Sequence, residues 1–146
     1  GTGGGGGAGG WKLVYSGDCR PSDRLAELGR GATVLIHEAT FEEDKADEAE
    51  KKKHCTVGEA LGVARNMGAF RSFLTHFSQR YPKFPVLPEE DSFRTIIAFD
   101  FMRFRFKDLA WAPAMLPVLQ QVYPSEGQDD DVVEDKEGQD QEGRES

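Results

Sequence analysis

The sequence predicts an α/β layered domain, and three observations carry that expectation. Apolar runs alternate with stretches of helical spacing in the order strand, helix, strand, helix, strand. The run Ala32-Thr33-Val34-Leu35-Ile36 is apolar without alternation, the pattern of a strand buried on both faces. Apolar runs also stop on ionisable residues, at Asp18, His37-Glu38, His76 and Asp100. Open α/β sheets build their sites in the crevice at the carboxyl ends of their strands.

Trp11 to Ser16 alternates bulky and polar residues and reads as a first strand, broken by Gly17-Asp18. Arg20-Pro21-Ser22 forms a turn. Ser22 or Asp23 can cap a short helix with Leu25, Ala26 and Leu28 on one face and Gly29 as its stop. The Ala32–Ile36 strand follows. Residues 42–53 are almost all charged and read as a solvated loop or helix. Thr56-Val57-Gly58-Glu59 is a capping box, and Val57, Ala60, Leu61, Ala64 and Met67 then make one apolar helix face. Phe70 to Thr75 is the next strand, and His76 emerges at its end. Pro82, Pro85 and Pro88 stiffen an extended crossing segment. Phe93 to Phe99 reads as a strand ending at Asp100. Met102 to Lys107 alternates aromatic and basic residues, which fits a half-exposed strand better than a nucleic-acid stripe, because no wider basic surface accompanies it. Ala114 to Tyr123 can form a last short helix, and no internal repeat is visible.

The charge is confined to one end. From Ser125 onward ten acids face only Lys136 and Arg144, which is the whole net charge of −8. The acidic tail, residues 125–146, reads as disordered, and the glycine-rich segment 1–10 as a flexible linker. The intervening 11–124 can hold one core. No apolar run is long enough for a membrane span, and no signal pattern opens the chain. Cys19 and Cys55 make neither a disulfide framework nor a zinc-ribbon spacing, so an intracellular protein is expected.

In this layered arrangement Asp18, His37-Glu38 and His76 would lie side by side along one rim of the sheet. Carboxylate and imidazole are borderline ligands that suit zinc or manganese. The chain has three histidines. If His37, His54 and His76 all ligate, the site is mononuclear; if His54 is an acid–base residue, ligands are missing. His54 follows three lysines and precedes a helix N-terminus, which both disfavour imidazolium, whereas a carboxylate such as Glu38 would oppose that. The bland alternative is a surface histidine without a role.

Ser16-Gly17-Asp18-Cys19-Arg20-Pro21, Leu35-Ile36-His37-Glu38-Ala39-Thr40-Phe41, Lys53-His54-Cys55-Thr56 and Thr75-His76-Phe77-Ser78-Gln79-Arg80-Tyr81, followed by Ala98-Phe99-Asp100, closely resemble the C-terminal part of tRNase Z, in its long eukaryotic form. The resemblance covers roughly residues 11–107, with the motifs in the family's order. It implies the C-terminal portion of a metallo-β-lactamase αββα sandwich, two zinc ions in the complete domain, and removal of 3′ trailers from precursor tRNA. By resemblance Asp18 is the carboxylate that bridges the zinc ions and His76 a histidine ligand of one. His54 assists proton transfer to the leaving oxygen, Glu38 orients His54, and Arg80 contacts phosphate or the tRNA 3′ end. The resemblance also implies a nuclear or mitochondrial location, or both.

The chain departs from the family in lacking its His-x-His-x-Asp-His motif. It is therefore expected to be the distal portion of a catalytic domain, inactive on its own and needing the missing N-terminal portion or a second subunit. The other hypothesis is a non-catalytic remnant or half-domain that binds RNA or a partner. Cys19 stands where the family has threonine, a change expected to be tolerated, and Cys55 is expected to be a plain thiol.

Overall fold

The computed structural model of the chain describes residues 10–78 and 85–122. The expectations for the glycine-rich start up to residue 9, for Arg80 and Pro82, and for the acidic tail lie outside these residues. The core is a four-stranded sheet in the order β1-β2-β3-β4, built from β1 (Leu13–Tyr15), β2 (Val34–Glu38), β3 (Arg71–Thr75) and β4 (Thr95–Ile97). Every pair is parallel, with Val14 opposite Leu35, Ile36 opposite Phe73 and Phe73 opposite Ile96. Parallel neighbours need crossovers, and the helical segments between the strands supply them.

Helix α1 (Asp23–Leu28) is capped by Ser22, whose hydroxyl accepts from the Leu25 amide. The charged stretch resolves into a 3₁₀ turn at Glu43–Lys45 and α2 (Ala46–Lys52), which buries only Ala49. Helix α3 (Val57–Met67) has the expected capping box between Thr56 and Glu59. Its two halves seed two core clusters. Val57, Ala60 and Leu61 pack with Leu74 and Ile97, while Val63, Ala64 and Met67 pack with Ala26 and Leu35. A fully buried leucine of this kind contributes about 1.5–3 kcal/mol. Gly29, which ends α1, packs closely: a Cβ there would stand 2.6 Å from Cε of Met67 and 3.0 Å from the Leu25 carbonyl oxygen, so Met67 would have to shift.

Several expectations need correction. The first and fourth strands are shorter than Trp11–Ser16 and Phe93–Phe99, because each edge strand keeps only the residues that find a partner on its neighbour. His37 and Glu38 do not follow β2 but close it, both buried. No strand forms over Met102–Lys107. The chain turns at Phe101, which has φ +63°, and continues into a 3₁₀ turn at Phe106–Asp108. Phe104 folds onto the sheet, edge to face with Phe73 at 5.1 Å between ring centroids, and Asp108 ties back the Arg105 side chain and amide. Packing of the aromatic residues onto the sheet thus replaces strand pairing. A helical turn, α4 (Glu89–Ser92), precedes β4. The last helix begins as a 3₁₀ turn at Ala112–Met115 and continues as α5 (Leu116–Val122), with Tyr123 outside the described residues.

Helices α1 and α3 cover one face of the sheet. The other face shows Leu13, Val34, Ile36 and Phe73, partly covered by Phe104, Phe106 and Leu109 around a groove of about 180 Å³. Leu13, Tyr15 and Trp11 are exposed there.

Candidate metal and acid–base site at the sheet rim

The strands run in one direction, so their carboxyl ends share a rim, and the loops leaving β1, β2 and β3 meet there. Glu38 ends β2, and the other three functional side chains are each delivered by a left-handed backbone turn. Gly17 has φ +60° just before Asp18, Lys53 has φ +61° just before His54, and His76 itself has φ +64°. A non-glycine residue held there costs of order 1 kcal/mol and persists only where its surroundings impose it. Lys53 is the left-handed cap of α2, and the His54 amide bonds to the Ala49 carbonyl at 2.9 Å.

Glu38 is the hub, 2% exposed. Its Oε1 accepts the Cys19 amide at 2.7 Å and Nδ1–H of His54 at 2.9 Å. Its Oε2 accepts the Cys55 amide at 3.0 Å and the Thr40 hydroxyl at 2.8 Å. Burial alone pushes the carboxyl up, but these donors outweigh it and hold its pKa below the ordinary 4.5. An ionised carboxylate can only accept, which sets the protons around it. Thr40 spends its single hydrogen on Glu38, so at the 2.7 Å contact between Thr40 Oγ1 and His76 Nδ1 the ring donates. His76 and His54 are both assigned their proton on Nδ1, and each leaves Nε2 with a free lone pair.

One potential ligand atom from each of Asp18, His54 and His76 falls within 4.8 Å of the other two. The two imidazole rings are 5.3 Å apart at their centroids, and His76 Nδ1 is 3.8 Å from Asp18 Oδ1. Asp18 and His76 are exposed, while His54 is partly buried. An exposed carboxylate and an imidazole with a free Nε2 fit a borderline divalent ion, and Thr40 behind His76 is the kind of hydrogen-bonded backing that metal-ligating histidines use. They supply two ligands, one short of the usual three for a catalytic zinc.

The structure gathers four of the five expected site residues, Asp18, Glu38, His54 and His76. Arg80 lies outside the described residues. His37 does not join the rim, because successive strand residues face opposite ways and Glu38 takes the rim side. Asp100 is exposed beyond β4 and makes no hydrogen bond or ion pair among the described residues. Two contributors went unassigned in the sequence. Thr40 sits two residues past Glu38 within the quoted motif, a spacing that could have signalled it. Arg20 forks onto Glu59 at 2.9 and 2.5 Å and reaches the His54 carbonyl at 2.6 Å, fastening the His54 loop to the start of α3. Nothing local in the sequence links those three.

A parallel α/β sheet with carboxylate and imidazole donors on its carboxyl rim defines the class, a domain that can help hold a metal. Known proteins narrow it. The chain is 50% identical over 114 residues to tRNase Z TRZ4, mitochondrial, from Arabidopsis thaliana, matching 78% of this chain and 12% of that protein. It is 44% identical over 118 residues to the zinc phosphodiesterase ELAC protein 2 homolog of Caenorhabditis elegans, matching 80% and 14%. Among solved structures, a long form RNase Z from yeast superposes with a TM-score of 0.67 and 40% identity, covering 76% of this chain and 15% of that one. No family model matches. The chain belongs to the tRNase Z family. It spans 12–14% of the length of the curated relatives cited.

Proposed function

We propose that this segment supplies the acid–base group and part of the metal site of a zinc-dependent endoribonuclease that removes 3′ trailers from precursor tRNA. The observation that carries the reading is the Glu38–His54 bond, which holds His54 by its Nδ1 beside Asp18 and His76, one potential ligand atom of each lying within 4.8 Å of the others.

In this reading Asp18 and His76 hold zinc, which when bound supplies Lewis-acid stabilisation of the charge that develops at the phosphate. The ionised Glu38 fixes the His54 ring through its Nδ1–H, so that a proton taken up at the free Nε2 would be held for delivery to the leaving 3′-oxygen. Thr40 keeps the His76 tautomer and Arg20 keeps the His54 backbone in place. Arg80 is assigned to phosphate or the tRNA 3′ end.

Two matched ligands do not make a catalytic zinc site, so the chain alone binds zinc weakly and does not cleave. The remaining ligands come from the missing N-terminal portion or a second subunit, and the groove-bearing apolar face of the sheet is the surface that would receive it. The name of the Arabidopsis relative supports a mitochondrial location, and no helix among the described residues is long and apolar enough to cross a membrane.

Trailer removal from a labelled precursor tRNA tests the proposal. The longer protein that carries this segment should cleave in the presence of zinc, and His54→Ala should slow cleavage while metal content stays intact. Loss of zinc in that variant would make His54 a ligand instead. Cleavage or stoichiometric dizinc binding by the 146-residue chain alone would refute the need for the rest.

A further inference from the structure

Behind the rim, toward the helix-covered face, lies a second cluster that the proposed reaction does not use. His37 is fully buried. Its Nδ1 lies 2.7 Å from the Glu38 carbonyl, which can only accept, so Nδ1 carries the hydrogen and Nε2 a lone pair. That Nε2 is the one buried side-chain nitrogen or oxygen without a hydrogen-bond partner among the described residues. Leaving such a group unpaired costs about 1–3 kcal/mol. A ring nitrogen of His37 and the sulfurs of Cys19 and Cys55 lie within 4.8 Å of one another. The Cys55 thiol donates to the Cys19 carbonyl at 3.0 Å instead of to the ring.

We propose that Cys19, His37 and Cys55 form a site for a soft d10 cation, Cu(I), distinct from the harder donor set that Asp18 and His76 offer. Two thiols and a neutral imidazole select soft metals over the ions that carboxylates prefer. Metal–sulfur bonds of about 2.3 Å and metal–nitrogen bonds of about 2.0 Å place the donors of a trigonal site about 3.7–4.0 Å apart. Donors that already lie within 4.8 Å of one another need to close by about 1 Å or less. No fourth histidine, cysteine or carboxylate donor joins it among the described residues, and a three-donor set suits Cu(I) better than zinc, which takes four ligands. Binding replaces the two thiol protons, which leave to solvent. Cys55 is then a ligand, against the expectation of a plain thiol. The amides of Cys19 and Cys55 are the two that hold Glu38, so closing the sulfurs around an ion acts directly on the carboxylate that orients His54.

The reduced, chelator-treated chain is to be titrated anaerobically with Cu(I) against bicinchoninate, read by native mass spectrometry and by thiolate-to-copper absorption in the ultraviolet. One Cu(I) per chain is expected. His76→Ala should retain it, Cys19→Ser and His37→Gln should each weaken it at least about tenfold, and the Cys19→Ser/Cys55→Ser pair should abolish it. Uptake unchanged by Cys19→Ser, uptake abolished by His76→Ala, or no uptake would overturn the proposal. A measurement on the unaltered chain guards against misfolded variants. Cu(I) should protect Cys19, the more exposed of the two thiols, from iodoacetamide, and unchanged alkylation counts against the site.

Discussion

His54 donates its Nδ1–H to Oε1 of Glu38 across 2.9 Å, and the same oxygen also takes the Cys19 amide at 2.7 Å. One carboxylate therefore joins the loops after β1 and β2 to the start of α3. Its four donors come from Cys19, Thr40, His54 and Cys55, so the site's geometry and the fold's integrity rest on the same bonds.

Glu38→Gln should expose that dependence. A glutamine offers one acceptor oxygen, and its amide group faces donors that it cannot satisfy. Leaving buried donors unpaired costs about 1–3 kcal/mol. Urea denaturation should show the midpoint falling with an unchanged slope, and an unaltered midpoint would mean that the donors re-pair.

Thr40→Val removes the hydroxyl that holds His76 through Nδ1. Losing such backing for a metal-ligating histidine weakens binding about 10- to 100-fold. Competition against a zinc-chelating dye should register this loss in the chain's weak zinc affinity. Thr40→Ser should restore it, since the hydroxyl returns.

Acid should destabilise the metal-free chain in two windows. Burial lowers the His37 pKa below the ordinary 6.5, despite the opposing hydrogen bond to the Glu38 carbonyl. The unfolded chain then takes up a proton first as pH falls, so stability present above about pH 6.5 is lost below it. Glu38, also depressed in the fold, adds a second loss below about pH 4.5, as pH falls through its folded value. Thermal melting between about pH 7 and 5 should show a falling midpoint, and His37→Leu should flatten that part of the curve.

Gly62→Ala tests the helix that carries the core. A Cβ at Gly62 meets nothing nearer than Nη2 of Arg65 at 4.0 Å. Its residue is inside α3, where alanine is favoured over glycine by about 0.5–1 kcal/mol. The melting midpoint should rise, in contrast to Gly58→Ala, where the new methyl would stand 2.7 Å from the Glu43 carboxylate.

The long elements were legible because their signals are local. The Thr56–Glu59 box and the apolar stripe of α3 need only the periodicity of one helix, and Ala32–Ile36 announces its burial by composition. The Met102–Lys107 alternation misled because a period of two records which side chains are apolar, and not whether another strand is there to pair. At the rim, motif order located Asp18, Glu38, His54 and His76. The strand-end reading puts His37 there too, wrongly, since adjacent residues on a strand face opposite layers. The Arg20–Glu59 fork joins residues 39 apart in sequence and depends on how α3 docks, which no local pattern encodes.

Phe41 and Thr56 form an isolated parallel bridge, with the Phe41 amide bonded to the Cys55 carbonyl at 3.1 Å and the Val57 amide to the Phe41 carbonyl at 2.9 Å. The bridge works as a clasp at the base of the charged excursion. Once the clasp is shut, the ends of that excursion are fixed whatever its length, and lengthening a closed loop carries only a slowly growing entropy cost. Evolution and engineering can therefore splice residues in near Lys45–Ala46, between the Glu43 anchor and α2, while His54 stays on station.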